Sequence, residues 1–249
     1  MQLQLIRNAT MRITYANHLF ITDPFLAGKH SIRSFANISP NPLVDLPCAP
    51  EEVLDGIEMA LISHLHIDHF DPLAEEMLPK DLPLFCQPGD EEQLAGKGFS
   101  SITIVDESAS WQGITLTRTP GQHGSGEWIE RMGKVSGFII QADGEPAVYW
   151  MGDTIWCEAV EQVIQNTQPD IIITHSSGAK FGDSDPIVMD AAQTIAVCKA
   201  APQATIIAIH LESLDHGTVS RADLRTRASA EGISPERLLI PDDGEGIYK

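Results

Sequence analysis

The sequence predicts an α/β protein in which two mixed β-sheets are flanked by helices, an αββα sandwich. Short apolar segments typical of buried strands alternate with segments of helical periodicity, in the order sheet, helices, sheet, helices. Residues with metal-binding side chains follow several of these strands in both halves of the chain, as they would if the two sheets met at one edge. No linker or low-complexity segment separates the halves, so residues 1–249 are expected to form a single domain.

The charge of the chain limits its partners. It has 16 basic and 35 acidic residues, which give a net charge of −19. Proteins that follow nucleic-acid phosphates need a basic stripe, and none is present, so we expect no nucleic-acid partner. No segment approaches the ~18 consecutive apolar residues of a membrane span, so we expect no membrane association.

The N-terminal segment and the cysteines indicate the compartment. Residues 1–6 alternate like a strand and lack the basic start and apolar core of a signal peptide. The four cysteines, Cys48, Cys86, Cys157 and Cys198, form no C-x-x-C pair and are expected to stay reduced. Both observations predict a cytoplasmic protein.

Most of the predicted elements are short, and one loop is long. Residues 28–50, rich in proline, asparagine and serine, are expected to form one wall of a substrate pocket, with His30, Arg33 and Phe35 at its surface. The predicted elements are strands 2–6, 11–15 and 18–22, helix 71–79, strand 82–86, helix 90–96, strands 102–105, 113–119, 135–140 and 147–151, a helix from 155, strand 170–174, helix 186–200, strand 204–209, a helix from 221 and an extended segment at 238–240.

Several helix starts are marked by capping residues. Asp71 precedes a proline, an arrangement typical of an N-cap followed by the first helical position. Thr154 and Asp185 are expected to cap the helices that follow them. Ser220 and Asp223 form a variant of the capping box at the last helix.

The segment 63–69 gives the strongest chemical signal. His64, His66, Asp68 and His69 lie within six residues, between an apolar run typical of a buried strand and the start of a helix. Imidazoles two residues apart can share one metal ion, while the two residues past the bend can reach another. Imidazole suits zinc, iron and nickel, and a carboxylate adds a harder oxygen donor that also suits manganese. We therefore predict a metal site on this loop.

This motif resembles that of the metallo-β-lactamase-fold hydrolases. Three further residues fill the family pattern in chain order: His123 in a glycine-rich segment, Asp153 after the next strand, and His210 at the end of a late strand. The resemblance covers nearly the whole chain. It implies the αββα fold, with metals at the edge where the sheets meet.

The resemblance also implies a dinuclear metal centre. The implied ligands are His64, His66 and His123 for one ion, Asp68, His69 and His210 for the other, and Asp153 as the bridge. Two divalent ions, zinc or manganese, are expected, and iron is less favoured. If only one ion binds, Asp68 is free to act as a general base. A divalent ion lowers the pKa of bound water from 15.7 to ~7 and so supplies hydroxide for hydrolysis.

The segment 21–25 resembles the branch of this family that contains L-ascorbate-6-phosphate lactonase. In that branch an aspartate at the position of Asp23 lies beside the metal site, where it fixes the tautomer of a ligand histidine. A simple turn aspartate is the alternative for this residue. The chain has no cysteine at the late ligand position, no flavin domain and no basic arm for tRNA, so other branches of the fold fit it less well.

Residues beyond the ligands are candidates for substrate contact. His175, Lys180 and Asp183 follow the strand 170–174, at the expected edge of the pocket. His216, which follows His210, could donate a proton to a leaving group. For each of them, a solvated polar residue on a loop is the alternative.

Three classes of function follow from these residues. The favoured one is a metal-dependent hydrolase that uses a metal-bound hydroxide on a small ester-like molecule, a lactone or carboxylic ester. Its runner-up version is a phosphodiesterase of a small phosphorylated metabolite, which needs cations in the pocket. The second class is a mononuclear iron redox protein of the same fold. A binding protein without turnover is the third class. The expected partner is a small molecule, and assembly into a homo-oligomer is open.

Overall fold

The computed structural model describes residues 1–248, and these form two mixed sheets of seven strands each. The strands of the first sheet are β1 (Gln2–Arg7), β2 (Thr10–Tyr15), β3 (His18–Thr22), β4 (Met59–Ile62), β5 (Leu84–Cys86), β6 (Ile102–Ile104) and β14 (Gly246–Tyr248). Those of the second are β7 (Ser108–Trp111), β8 (Ile114–Pro120), β9 (Ser136–Gln141), β10 (Val148–Trp150), β11 (Ile171–His175), β12 (Thr205–Ile209) and β13 (Leu238–Leu239).

Each sheet is antiparallel on one side and parallel on the other. The spatial orders are β14-β1-β2-β3-β4-β5-β6 and β13-β12-β11-β10-β9-β8-β7. The pairs from β3 to β6 are parallel, as are those from β10 to β13. The carboxyl ends of parallel strands meet at one edge of a sheet, so the loops that follow β4, β10, β11 and β12 can gather there.

The core fills the space between the sheets and the space beneath each helical layer. Alternate residues of a strand point to opposite faces, so Met59 and Leu61 of β4 pack between the sheets, while Ala60 and Ile62 pack under helices. Because both faces are covered, all of β4 is buried and its sequence is continuously apolar. This arrangement confirms the predicted αββα sandwich.

The helices form the two outer layers. Apolar residues of the first three pack on the first sheet, and those of the last three pack on the second. The helices are α1 (Pro50–Leu54), α2 (Pro72–Met77), α3 (Glu91–Gly96), α4 (Trp128–Met132), α5 (Glu158–Thr167), α6 (Ala191–Ala200) and α7 (Arg221–Ala230). The short helix α4 buries none of its residues and lies beside the site described below.

Two predicted helix caps are wrong. Helix α5 begins at Glu158, and the hydroxyl of Thr154 accepts a hydrogen bond from the backbone N–H of Gln122 instead of capping a helix. Helix α6 begins at Ala191, and its cap is Asp190, whose carboxylate accepts from the N–H of Gln193. The predicted caps Asp71 and Ser220 are confirmed.

The edge of the sandwich opposite these strand ends is held together by polar contacts between the sheets. The hydroxyl of Tyr15 donates to the carbonyl of Pro146 at 2.8 Å. The N–H of Ala16 donates to the carboxylate of Glu145 at 3.0 Å. These turns therefore lie far from the edge that carries the histidines.

Candidate metal centre

The loop of residues 63–69 is held rigidly at both ends. It leaves the buried strand β4, and its backbone turns back on itself where the N–H groups of His69 and Phe70 donate to the carbonyl of His66. At its far end the carboxylate of Asp71 accepts from the N–H groups of Leu73 and Ala74 and so caps α2. The strand, the turn and the cap together fix the direction of the histidines.

One cluster of donors consists of imidazoles alone. Ligand atoms of His64, His66 and His123 all lie within 4.8 Å of one another, with His64 Nε2 and His66 Nδ1 2.9 Å apart. The Nδ1–H of His123 donates to the carbonyl of Ile187 at 2.9 Å. This bond leaves Nε2 of His123 unprotonated and free for a metal.

A second cluster lies next to the first. Ligand atoms of His69, Asp153, His175 and His210 lie within 4.8 Å of one another. Asp68 adjoins it, since one of its carboxylate oxygens is 3.5 Å from His69 Nε2 and 3.4 Å from His210 Nε2. This group mixes imidazole with carboxylate.

Asp153 contacts both clusters. Its Oδ2 atom is 3.1 Å from His69 Nε2 and 3.6 Å from His123 Nε2, and its Oδ1 atom is 3.6 Å from His210 Nε2. The structure thus brings together the seven residues that the sequence nominated as metal ligands, with this carboxylate between the two groups.

Asp23 lies behind His69. The Nδ1–H of His69 donates to Asp23 Oδ2 at 2.6 Å, and Ser63 donates to the same carboxylate through its N–H and its hydroxyl. A carboxylate on Nδ1 fixes the tautomer of a histidine and turns its Nε2 toward a metal. Of the two interpretations of Asp23, the geometry supports the partner of a ligand histidine and not the simple turn residue.

His175 occupies a place other than the predicted one. It is the last residue of β11 and not part of the following loop, and only 1% of its surface is exposed. Its Nδ1 lies 2.6 Å from Asp153 Oδ1, and its ring meets the edge of Trp150. The expectation that it borders the substrate pocket is therefore wrong, because the strand extends one residue further and turns it toward Asp153.

Several imidazole nitrogens in this region have no hydrogen-bond partner among the described residues. They are Nε2 of His175, both ring nitrogens of His210, and Nδ1 of His216, all of them buried. An unpartnered buried polar atom costs about 1–3 kcal/mol. A cluster of such atoms beside two carboxylates is the donor chemistry that divalent metal ions need, so the residues present fit the metal that the family pattern implies.

The carboxylates of the site favour their ionised forms. Burial alone would raise the pKa of Asp153, but the adjacent His69 and His210 and the hydrogen bonds from His175 and His69 hold it well below its usual value. Burial also opposes the ionisation of Asp68, and the same two histidines outweigh it and hold its pKa well below the usual value. Both carboxylates are therefore charged and able to bind a metal at neutral pH.

The imidazoles of the two clusters differ in protonation. Burial lowers the pKa of His123 to about 4 and, together with His69 and His66, lowers that of His64. Burial acts in the same direction on His69, but Asp153, Asp68 and Asp23 raise its pKa well above the usual value. His64 and His123 are thus neutral and ready for a metal, whereas His69 holds a proton that a metal must displace.

A cavity of about 220 Å³ opens onto both clusters. Its polar floor is His66, Asp68, His123 and Asp153, and His216 lies in its wall. Most of the remaining wall is apolar. The other lining residues are Arg33, Phe35, Ile67, Met132, Phe181 and Ile187.

Aromatic rings pack around His216 in this wall. The ring of Phe35 meets it edge-on at 5.2 Å between centroids, and Phe181 stacks on it at 5.5 Å. Trp128 of α4 stacks in turn on Phe181 at 5.0 Å. Burial lowers the pKa of His216, so the ring is neutral at neutral pH.

Few cations reach the cavity. Arg33 lines it, but Lys180 and Arg131 are absent from the lining. Lys180 contributes only a backbone N–H bond to the carbonyl of His216, and Asp183 is exposed on its loop.

None of the helices in residues 1–248 has the length and apolar character needed to cross a bilayer.

Comparison with known proteins identifies the family. Residues 18–211 match the model described as a beta-lactamase superfamily domain. The UPF0173 protein YddR of Bacillus subtilis is 36% identical over 251 residues, which cover 98% of each chain. The chain belongs to the UPF0173 family of the β-lactamase superfamily. Another member, a UPF0173 metal-dependent hydrolase of Xanthobacter autotrophicus, is 29% identical over 165 residues, which cover 62% of each chain. The protein described here is thus a metal-dependent hydrolase of the β-lactamase fold.

Two solved structures resemble this UPF0173 protein along its whole length. One, a possible metal-dependent hydrolase from Veillonella parvula, is 34% identical with a TM-score of 0.96 and covers 99% of this chain and 98% of that one. The other, an isothiocyanate hydrolase from Delia radicum gut bacteria, is 32% identical with a TM-score of 0.95 and covers 100% and 99%. Neither is described as a lactonase, so the lactonase-like branch indicated by residues 21–25 stays a prediction.

Sequence reasoning missed most of the cavity wall. Phe181, Met132 and Ile187 carried no periodic or motif signal, and Phe35 was expected at the surface. Their one shared sequence feature is that each is a large apolar residue in a segment otherwise rich in polar residues and glycine. That feature alone does not indicate which distant segments converge.

Proposed function

We propose that this UPF0173 protein is a dinuclear metallohydrolase that attacks the electrophilic carbon of a small molecule bearing an apolar group, with organic isothiocyanates as the first candidate substrates. The observation that carries the proposal is the cavity, in which apolar walls end on two clusters of metal-binding side chains. The description of one similar structure as an isothiocyanate hydrolase supports this choice of substrate.

In this proposal the two clusters divide the ligands as the family resemblance implies. Three imidazoles would hold one ion, two imidazoles and a carboxylate would hold the other, and one carboxylate would lie between them. The respective residues are His64, His66 and His123; His69, His210 and Asp68; and Asp153. Bound divalent ions acidify water and polarise the atoms of a substrate, which makes water a nucleophile near neutral pH.

The remaining residues bind and orient the substrate. An isothiocyanate, R–N=C=S, has a linear polar head that fits the donor-lined floor, while its R group meets Phe35, Phe181 and Met132. Water adds to the central carbon and the carbon–nitrogen bond breaks, so that both protons of water end on nitrogen and the products are an amine and carbonyl sulfide. His216 is neutral and lies in the wall, where its imidazole can take up a proton and return it to the nitrogen.

Lactones and carboxylic esters are the second candidate substrates. The segment 21–25, which resembles that of the lactonase branch, and the position of Asp23 behind His69 favour them. Their carbonyl carbon is attacked in the same way, and His216 would then return its proton to the leaving oxygen. In the single-ion alternative, Asp68 would serve as the general base.

Two other candidates have less support. A phosphodiester carries negative charge, yet Arg33 is the one lysine or arginine among the residues that line this cavity, in a chain whose net charge is −19. A mononuclear iron redox protein needs one set of ligands, whereas the described residues offer three overlapping sets, the third being Asp23, His64 and His69.

The metal content of the purified protein tests the proposal, together with hydrolysis of a panel of substrates. We expect two equivalents of zinc or manganese, and turnover of phenethyl isothiocyanate with release of the amine and carbonyl sulfide. His66→Ala should retain the fold but lose the first ion and the activity, since His66 belongs to the imidazole cluster and lines the cavity. His18→Ala, which removes a histidine paired with Glu58 at the surface, is the matched control.

Each outcome of this experiment is informative. One equivalent of iron with oxygen uptake would favour the redox alternative. Turnover of lactones but not of isothiocyanates would select the second candidate substrate. Wild-type activity in His66→Ala, or no tight metal binding at all, would contradict the metallohydrolase.

Compartment and assembly stay predictions from the sequence. The cysteines of the described residues are all free, which agrees with a reducing compartment such as the cytoplasm. Fractionation of cells and light scattering of the purified protein would test the cytoplasmic location and the homo-oligomer.

A further inference from the structure

The carboxylate of Asp215 lies inside a loop from a distant part of the chain. This outer loop, residues 34–41, has no helix or strand, and Asp215 is only 6% exposed within it. Asp215 directly precedes His216, whose ring lines the cavity. The same short segment therefore contacts the outer loop and the cavity.

Six donor groups of the outer loop point to this one carboxylate. The hydroxyl of Ser34, four backbone N–H groups and the side-chain amide of Asn41 donate to it, at distances of 2.9 Å to 3.3 Å for the N–H donors. The backbone donors belong to Phe35, Ala36, Ile38 and Ser39. In the reverse direction, the N–H of Asp215 donates to Asn41 Oδ1 at 2.8 Å.

These bonds also account for the charge of the buried group. No lysine or arginine of residues 1–248 forms an ion pair with Asp215, so the N–H and O–H groups of the loop alone stabilise it. Burial would raise the pKa of this carboxyl, but the bonds from Ser34 and Asn41 outweigh burial and lower it, so the ionised form persists. A charged acceptor strengthens such bonds compared with a neutral one.

The outer loop carries part of the cavity wall. Phe35 meets the ring of His216 at 5.2 Å, and Arg33, which directly precedes the loop, also lines the cavity. The loop is closed at its base by the bridge between Ile32 and Asn41, and Phe35 also packs on a small apolar cluster. Between these anchors, the bonds to Asp215 are the contacts that hold the backbone of residues 35–39 in place. The position of this wall therefore depends on one side chain that touches neither the donor clusters nor the cavity.

We propose that Asp215 is a positioning residue, which holds the outer loop as the wall of the cavity and thereby determines how well bulky apolar substrates bind, without taking part in the chemistry. The statement about substrates rests on the proposed function, whereas the statement about the loop does not. Its predicted signature is a change in KM with little change in kcat.

The test is Asp215→Asn in the metal-loaded protein, because asparagine keeps the shape but turns one acceptor into an NH₂ group that faces N–H donors. Trypsin reports on the loop, since Arg33 is exposed directly before its first residue. We expect cleavage after Arg33 to be about tenfold faster, as follows from the loss of one or more buried charge-assisted bonds. The metal content should stay at the wild-type value.

Kinetics supply the second measurement. For phenethyl isothiocyanate we expect KM to rise about tenfold and kcat to stay within about twofold, and for methyl isothiocyanate a smaller change, since it needs less of the wall. Asp45→Asn is the matched control, because Asp45 is an exposed carboxylate of the same long loop and accepts no hydrogen bond in the described residues. Ser34→Ala, which removes one donor, serves if Asp215→Asn does not fold.

The outcomes separate this inference from the proposed function. If the wild-type protein leaves isothiocyanates and esters intact, the proposed function fails, while the trypsin comparison still decides whether Asp215 holds the loop. Equal rates of trypsin cleavage after Arg33 in the wild type, in Asp215→Asn and in Ser34→Ala would overturn the inference. So would a loss of kcat with unchanged KM, which would make Asp215 part of the chemistry.

Discussion

At the scale of single residues, Asp23 shows how a side chain outside the ligand set prepares the site. It accepts from His69 and twice from Ser63, and so fixes both the first residue of the loop and its last histidine. Its φ of 36° lies in the left-handed region, which is costly for residues other than glycine, asparagine and aspartate. Residues other than glycine that hold a positive φ are often found at functional positions.

We expect Asp23→Asn to weaken binding of the ion held by His69 by about 10–100-fold, because the partner that fixes the tautomer of a ligand histidine is lost. Asparagine tolerates the same backbone conformation, so the fold should remain. Competition with a chromophoric zinc chelator measures the affinity of each ion, and Asp45→Asn again serves as the control. Unchanged affinity for both ions would show that Asp23 is only a structural residue of the turn.

The protonation states of the histidines predict that the two ions respond differently to pH. The pKa of His69 is raised well above its usual value by three carboxylates, so between pH 6 and 8 a metal must displace its proton, and affinity should increase with pH. The pKa of His123 is about 4 and that of His64 lies well below its usual value, so both imidazoles are already neutral over the same range, and the affinity of their ion should change less with pH. Calorimetry in two buffers of different ionisation enthalpy would count the protons, and equal release for both ions would contradict this difference.

At the scale of elements, the sequence predicted those strands and caps that depend on local chemistry. The cap Asp71 and the buried strand before the histidines are examples. The caps Thr154 and Asp185 failed because tertiary contacts use the backbone there, as when the N–H of Met189 donates to the carbonyl of Thr154. Strand β7 and helix α4 were missed because both are largely exposed and so lack an apolar pattern.

The caps Asp71 and Ser220 allow a matched comparison of two helix starts. Ser220→Ala removes a half-buried cap that bonds only to Asp223 of its own helix, and it should reduce the free energy of unfolding by about 1 kcal/mol, with metal affinity unchanged. Asp71→Ala should cost about 2–4 kcal/mol, because its carboxylate also accepts from the buried N–H of Leu26. It should also weaken metal binding, since Asp71 ends the histidine loop. Urea unfolding measures the free energy of unfolding, and chelator competition measures the metal affinity. Equal losses of stability and of affinity in the two variants would refute the difference between the two caps.

At the scale of the whole molecule, the order of ligands along the chain was enough to predict the fold and the convergence of the donors. A motif and a position at the end of a strand are local features, so both can be recognised in the sequence without knowing how the chain packs. The cavity wall was not predictable in this way, because Phe35, Met132 and Phe181 come from segments far apart in sequence and meet only after folding. That residues 1–249 form one domain stays a prediction.

The contacts of Tyr15 and Ala16 with residues 145–146 join the sheets at the edge remote from the histidines. That edge consists of turns that contribute no donor to either cluster and no residue to the cavity. The two edges of the sandwich, here called rims, therefore differ in how much change of sequence they can tolerate. One rim is constrained atom by atom by chemistry, whereas the other, at the turn of residues 143–144, can accept an inserted peptide, a dye or a surface tether with the reactive rim still facing the solution.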